Sequence, residues 1–281
     1  MQNLATILLV LLPTASALVL STHACNRHYS RVASPPRLDA SASTATTDAS
    51  ASTAANDDPP SLAILEAWTR EYYAAARESR VVGGDSMDGF LQKYDWFADD
   101  YVLTGPDIGP LCKSDYLGTQ RGFTVDFGKA MPDLANVLDG FHVDLDNPYR
   151  VWFTNRYTGT HTGTTRLSTY VLNPTGNEIR GGPELHSIWW TKDKQIKWET
   201  VGYSGCKFTG TNEGFGGLAG LLVPMGVPRT FFDVFAPFSK LVFGLSQYNE
   251  ASETGGRACS PESDLPQWWN ERKSLGINVR R

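Results

Sequence analysis

The spacing of apolar residues changes at Pro132, and this change limits the folds open to the chain more than any other feature. Before Pro132, apolar side chains recur every three or four residues in three segments, which predicts three helices. The helices begin near Asp58, Ser86 and Ser114, and Pro132 ends the third. After Pro132, apolar and polar residues alternate, as is typical of strands. Helices followed by strands indicate an α+β fold rather than alternating βαβ units.

Each predicted helix has an apolar face, which we expect to pack on the sheet. The faces consist of Leu62, Leu65, Trp68 (or Thr69), Tyr72 and Ala76 in the first helix, Met87, Phe90, Leu91, Tyr94 and Phe97 in the second, and Tyr116, Gln120, Phe123, Phe127 and Ala130 in the third. The alternating part predicts five strands in one antiparallel sheet. Their approximate bounds are 137–144, 150–161, 166–172, 184–192 and 195–203.

A two-residue turn at Asp193-Lys194 would set the register of the last hairpin. On the more apolar side, which includes Ile196, the pairs would be Trp189 with Trp198, Ser187 with Thr200 and Leu185 with Gly202. On the other side, they would be Trp190 with Lys197, Ile188 with Glu199, His186 with Val201 and Glu184 with Tyr203. We expect any chemistry on this second side, because it carries the ionisable residues.

The charge and the cysteines exclude several classes of protein. The 281-residue chain has a formal net charge of -5 and no basic stripe, which argues against a nucleic-acid binder. Its cysteines, Cys25, Cys112, Cys206 and Cys259, match neither a disulfide framework nor a CxxC metal site. One bridge with a free thiol and three reduced thiols in the mature chain are both compatible with this spacing. The sequence has no P-loop and no dinucleotide fingerprint, so we expect neither a metal nor a cofactor.

The N-terminus has the features of a targeting segment. Residues 4–12 are apolar but too short to span a bilayer, and small residues follow, which predicts a signal peptide at 1–17. Residues 18–57 are first basic and then rich in Ser, Ala and Thr, which predicts a disordered linker. This arrangement resembles the bipartite presequence of algae with secondary plastids, with Leu18 in place of the preferred aromatic residue. It implies a plastid (chloroplast) location with 18–57 as transit peptide, and secretion is the alternative.

The C-terminal part, residues 206–281, is an extension rich in Gly and Phe. Phe231, Phe232, Phe235, Phe238 and Phe243 lie between residues 229 and 248. We expect this segment to pack on the domain or to form a homodimer contact. A helix on a membrane surface is less favoured, because the segment has few Lys or Arg residues on its polar face.

One motif indicates a family. A strand-like run, Val151–Asn155, leads into Gly159-Thr160-His161-Thr162-Gly163, and Met131-Pro132-Asp133-Leu134 ends the preceding helix. Over about residues 61–205 this combination resembles the SnoaL-like polyketide cyclase branch of the nuclear transport factor 2-like superfamily. The resemblance implies a cone-shaped domain at 58–205, with three N-terminal helices packed on a curved antiparallel sheet around a pocket. The superfamily contains enzymes, binding modules and assembly domains, so the fold alone does not fix the function.

Four residues could carry catalysis. His186 is the candidate acid–base group and Glu199 its partner, while Tyr203 or Arg156 would stabilise an oxyanion. Each also has a structural alternative. A strand neighbour could satisfy His186, Lys197 or Lys192 could pair with Glu199, and Asp144 or Asp146 could pair with Arg156. The related cyclases have an acid–base Asp near the end of the final strand, whereas this sequence reads Gly202-Tyr203-Ser204 there.

Four more residues are candidates for ligand binding. His161 could point into the mouth of the cone, and Asp99 could border the pocket after the second helix. Trp190 and Trp198 would belong to an aromatic lining.

Three functions follow from these residues. The first is binding of a hydrophobic small molecule, the second is an isomerase, cyclase or hydratase that moves a proton next to a carbonyl, and the third is a non-catalytic dimerisation module.

Overall fold

The computed structural model describes residues 58–81, 95–106, 108–167, 170–230, 232 and 259–274. The targeting segment predicted for residues 1–57 lies outside these ranges, as do most of the second predicted helix and most of the Phe-rich segment. Within them the protein is α+β, with a mixed, curved sheet and few helices. No helix in the described ranges combines the length and the apolar character needed to cross a membrane.

The first helix, α1 (Leu62–Val81), matches the first helical pattern. The Ser61 carbonyl accepts the backbone N–H groups of Ile64 and Leu65 and so starts the helix. Leu65, Thr69 and Tyr72 are buried at helical spacing. They pack against one side of the sheet, which we call the inner face.

The third helical pattern corresponds to α2 (Lys113–Ala130). Cys112, and not Ser114 as predicted, occupies its N-cap position, and no side chain caps the helix there. The start is shifted because Cys112 ends a strand, so the chain passes directly from strand to helix. At the other end Pro132 has no N–H to continue the helical bonding, as predicted.

A strand that the sequence pattern did not predict, β1 (Phe97–Thr104), takes the place of the end of the second predicted helix. Phe97 is therefore a strand residue. β1 pairs in antiparallel fashion with the short β2 (Leu111–Cys112). The residues from Tyr101 to Thr104 are all buried, so they lack the alternation by which the other strands were predicted.

Most of the remaining strands lie close to the predicted positions, and one short strand, Glu178–Arg180, was not predicted. They are β3 (Ala135–Val143), β4 (Arg150–Thr160), β5 (Thr165–Leu167), β6 (Tyr170–Leu172), β7 (Glu178–Arg180), β8 (Glu184–Trp190) and β9 (Ile196–Ser204). The main sheet has the order β2-β1-β9-β8-β4-β3, and β7 pairs with β4. β5 and β6 form a separate two-stranded sheet where one strand was predicted. The sheet is mixed rather than antiparallel as predicted, because β1 enters it parallel to β9.

The β8–β9 hairpin keeps the predicted register only in its middle. There the observed pairs are Ser187 with Thr200, Ile188 with Glu199 and Trp189 with Trp198. A bulge at Gly202 (φ 76°) makes Tyr203 pair with Leu185, and a second shift makes Ile196 pair with Trp190. A bulge adds one residue to one strand, so residues beyond it change faces relative to a regular count.

The C-terminal region packs on the body in its described parts. After β9 the chain forms α3 (Gly217–Leu222), and Leu222 and Met225 are buried against Phe127 and Tyr157. A 3-10 turn (Glu262–Asp264) then leads into α4 (Gln267–Ser274). Helix α4 lies on the other side of the sheet, the outer face, where the Trp269 ring lies 5.5 Å from that of Trp198.

Candidate functional site

A buried carboxylate, Glu199, lies on β9 at the inner face, where α1 covers the sheet. Its Oε2 accepts hydrogen bonds from the Tyr101 hydroxyl at 3.0 Å and from the Tyr72 hydroxyl at 3.3 Å. The Tyr72 hydroxyl is also 3.3 Å from that of Tyr116. We call these four residues the Glu199 network; α1, β1, α2 and β9 each contribute one of them.

The tyrosines of this network act as donors. Burial raises the pKa of Tyr72 and of Tyr101 well above 10.0, and the charge of Glu199 raises both further. Both hydroxyls therefore keep their protons at physiological pH. Lys197, a predicted alternative partner of Glu199, forms an ion pair with Asp100 at 2.8 Å instead.

A second network surrounds His186 on β8. The imidazole is buried, and its Nδ1 lies 2.8 Å from the Tyr73 hydroxyl. Its Nε2 lies 3.2 Å from Oε2 of Glu184, which is also buried, and 3.2 Å from the backbone nitrogen of Gly202. We call Tyr73, Glu184, His186 and Gly202 the His186 network.

The contacts of Nε2 define where a proton can be. The Gly202 N–H can only donate, whereas Oε2 of Glu184 accepts when ionised and donates when protonated. If Nε2 accepts the Gly202 N–H, the Glu184 carboxyl carries the proton that lies between Oε2 and Nε2. If Glu184 is ionised, Nε2 carries this proton. The tautomer of His186 therefore depends on which of these two bonds forms, and Nδ1 accepts from or donates to the Tyr73 hydroxyl accordingly.

Two consecutive residues of α1 connect the networks. Tyr72 belongs to the Glu199 network and Tyr73 to the His186 network, and their rings are 5.6 Å apart at an interplanar angle of 87°. The ring of Phe153 on β4 lies 5.7 Å from the His186 imidazole and 5.6 Å from the Tyr73 ring. Both networks thus lie in aromatic surroundings, where the energies of charge–charge interactions and hydrogen bonds are larger than in water.

Two predicted catalytic residues lie elsewhere. Tyr203 pairs with Leu185 and is therefore on the face opposite to His186, because the bulge at Gly202 exchanges the faces. Asn155 and Tyr157, the neighbours of Arg156 on β4, are buried, so the Arg156 side chain lies on the outer face. There it forms an ion pair with Asp139 of the neighbouring strand. Neither belongs to the two networks.

The predicted ligand-binding residues are dispersed. Asp99 is exposed and forms a 3.1 Å ion pair with Lys113. Trp198 lies on the outer face and donates its indole N–H to the Thr104 hydroxyl at 3.0 Å. Only Trp190 lies on the inner face, where it is fully buried with its ring 5.7 Å from that of Trp68.

His161 is buried at the corner that follows β4. Its Nδ1 lies 3.1 Å from the Thr175 hydroxyl, and its Nε2 has no hydrogen-bond partner among the described residues. Burial lowers the pKa of His161, so the imidazole is neutral at pH 7. The contacts of this residue stabilise the corner rather than either network.

Sequence reasoning missed six residues of the two networks. They are Tyr72, Tyr73, Tyr101, Tyr116, Glu184 and Gly202. A buried tyrosine needs a partner for its hydroxyl, so several tyrosines in predicted core positions were a signal for a buried acceptor. Nothing in the sequence identified Glu199 as that acceptor.

The described ranges contain no group of three or more His, Cys, Asp or Glu side chains arranged to hold a metal ion. The two networks could still bind an organic molecule and move protons on it. A carboxylate and an imidazole can each take up and release a proton, and tyrosine hydroxyls can donate to an oxygen that gains negative charge.

No protein-family model and no curated protein matches the chain. Among solved structures, it is similar to a protein classed as a SnoaL-like polyketide cyclase from Jannaschia sp. CCS1, with 12% identity over 62% of this chain and 99% of that chain and a TM-score of 0.39. It is also similar to an NTF2-like protein of unknown function from Exiguobacterium sp. 255-15, with 12% identity, 47% and 94% coverage and a TM-score of 0.32. The Δ5-3-ketosteroid isomerase of a Mycobacterium species gives 11% identity, 48% and 89% coverage and a TM-score of 0.32. Likeness at this level does not indicate a shared activity.

Proposed function

We propose that the protein binds an apolar small molecule with a carbonyl group and moves a proton on it, as an isomerase or cyclase does. One observation carries the proposal: Tyr72 and Tyr73 of α1 join two buried acid–base groups, Glu199 and His186, on one face of the sheet. Ionisable side chains held together in an apolar interior are costly to the fold and occur most often where they serve chemistry.

The roles follow from the chemistry of each group. Glu199 would take a proton from the carbon next to the carbonyl, and the electrons of the broken C–H bond would move to the carbonyl oxygen as an enolate. The half-buried Tyr73 hydroxyl would donate to that oxygen, with Nδ1 of His186 supporting it. Returning the proton to a second carbon would complete an isomerisation without a cofactor.

The aromatic surroundings favour an apolar substrate. The rings of Phe153 and Tyr73 lie next to His186, and Phe141 stacks on Phe153 at 5.2 Å. Such rings stabilise a flat or cyclic hydrocarbon skeleton by burial of apolar area.

Deuterium uptake tests the proposal. The full-length protein would be incubated in D2O with a panel of cyclic enones and β-keto esters, and mass spectrometry would follow exchange at the carbon next to the carbonyl. We expect wild-type protein to accelerate exchange for at least one compound, and Glu199→Gln to slow it by about 100-fold or more. Arg156→Gln is the control, because its ion pair with Asp139 lies outside both networks.

Binding without catalysis is the second candidate, and the same aromatic surroundings favour it. In that case native mass spectrometry would find an apolar molecule bound to the protein, while wild-type and Glu199→Gln protein would give equal exchange rates. That result would contradict proton transfer and retain the binding function.

A further inference from the structure

We propose that the Gly-rich segment 213–222 positions His186 through Glu184 and Gly202, so that this part of the C-terminal extension belongs to the acid–base site. The catalytic meaning of this inference rests on the proposed function. The contacts that position His186 lie within the chain and do not depend on that function.

The segment holds Glu184 directly. The two carboxylate oxygens of Glu184 have different partners: Oε2 lies 3.2 Å from Nε2 of His186, and Oε1 accepts the backbone N–H of Gly217 at 2.8 Å. Glu184 is 3% exposed, so few water molecules can replace either contact. The Gly217 N–H therefore fixes the orientation of the carboxylate that meets the imidazole.

The segment also packs against Gly202, the other group that approaches Nε2. A Cβ atom added to Gly216 would overlap the Gly202 carbonyl oxygen and lie 2.9 Å from the Ser204 backbone nitrogen. A Cβ atom on Gly202 would lie 2.9 Å from Cα of Gly217. This close backbone packing keeps the bulge in place, and the bulge directs the Gly202 N–H at His186.

Tyr157 and Asn212 attach the same segment to the sheet. A Cβ atom on Gly220 would lie 2.6 Å from the Tyr157 hydroxyl, whose pKa is raised by burial and by the nearby charge of Glu184. The buried Asn212 accepts the Gly182 N–H at 3.2 Å and donates to the Phe215 carbonyl. The segment is thus held against the strand that carries Glu184 and His186.

The variant Gly216→Ala tests the inference. Gly216 has φ -119° and ψ 175°, which alanine adopts without strain, so the added methyl group acts only by pushing the segment away from Gly202. In full-length 15N-labelled protein, we expect the ring-nitrogen resonances of His186 to move, because its proton distribution changes. The resonances of His161 should stay in place and report an intact fold, since its imidazole contacts Thr175 instead.

A second variant covers the case in which Gly216→Ala fails to fold. Glu184→Gln keeps the shape of the side chain and can still accept the Gly217 N–H, but its amide donates to Nε2. We expect His186 to be held with its proton on Nδ1, which should move its ring-nitrogen resonances relative to wild type. If the His186 resonances match wild type in both folded variants, the inference is overturned. If they move as expected while wild-type protein catalyses no exchange, the positioning stands and the proposed function fails.

Discussion

The Tyr73 hydroxyl lies 2.8 Å from Nδ1 of His186, although 113 positions separate the two residues in the chain. Tyr72, one position earlier in α1, donates its hydroxyl to Glu199 at 3.3 Å. One turn of a helix therefore organises two acid–base groups that come from different strands.

Replacing Tyr101 with Phe should destabilise the protein. The substitution keeps the ring and removes the hydroxyl that donates to Oε2 of Glu199 at 3.0 Å, which leaves a buried acceptor with one donor fewer. We expect the free energy of unfolding to fall by about 1–3 kcal/mol, measured by urea denaturation. Tyr72→Phe removes the 3.3 Å bond to Glu199 together with the 3.3 Å contact with the Tyr116 hydroxyl, and should also destabilise the protein. Equal stability of wild type and Tyr101→Phe would contradict the hydrogen bond.

Alkaline pH should destabilise the fold steeply. The pKa of Tyr72 and of Tyr101 is raised above 10.0 in the folded protein, so above pH 10 the unfolded chain releases protons that the folded protein keeps. Stability is therefore complete below the ordinary tyrosine value and is lost as the pH rises through the range above it. Each group should lower the free energy of unfolding by about 1.4 kcal/mol per pH unit.

Urea denaturation between pH 9 and 11 measures how the free energy of unfolding changes with pH. In Tyr101→Phe this change should be smaller by the contribution of one tyrosine. Absorbance of ionised tyrosine gives an independent check. If all tyrosines ionised near pH 10 with the fold intact, the burial of both hydroxyls would be wrong.

Acidic pH should act through His161. Burial lowers its pKa below 6.5, so below that pH the unfolded chain binds a proton that the folded protein does not. The free energy of unfolding should therefore decrease as the pH falls from 6.5. His161→Gln should have a weaker pH dependence in this range than wild type, whatever its stability at pH 7. Parallel curves for the two proteins would rule out this role.

Trp269 should anchor α4 to the outer face. It is buried against Trp198, and Trp269→Ala should cost about 3–5 kcal/mol of unfolding free energy. The exposed Gln267 of the same helix is the control, and Gln267→Ala should stay within about 0.5 kcal/mol of wild type. Similar stability of both variants would indicate that the helix contributes little to the fold.

The elements that sequence alone predicted are those with regular spacing. α1, α2 and most strands have apolar residues at periods that only one type of element produces. β1 was not predicted because its residues from Tyr101 to Thr104 are all buried, so exposed and buried positions do not alternate there. The sheet was consequently predicted without its parallel pair.

Of the four predicted catalytic residues, His186 and Glu199 lie in the two networks, and a single bulge explains why Tyr203 does not. Regular alternation along β9 placed Tyr203 on the same face as His186. The extra residue at Gly202 moves Tyr203 to the other face. The local sequence does not show which strands are neighbours in the sheet, so the ion pair between Arg156 and Asp139 could not be predicted. The tyrosines that complete the site come from α1, β1 and α2, and only the tertiary fold brings them to Glu199 and His186.

Other sequence-based predictions concern properties that the fold does not address. The plastid location and the homodimer stay predictions. The three cysteines in the described ranges, Cys112, Cys206 and Cys259, are free thiols in the structure.

The most direct measurement of the central claim is a double-variant comparison of deuterium exchange. Rates would be compared for wild type, Glu199→Gln, His186→Gln and the double variant on the compound that wild type exchanges fastest. If the two networks act as one acid–base unit, the double variant should be about as slow as the slower single variant. If the two effects multiply, or if His186→Gln exchanges at the wild-type rate, the two groups do not act together and the claim is wrong.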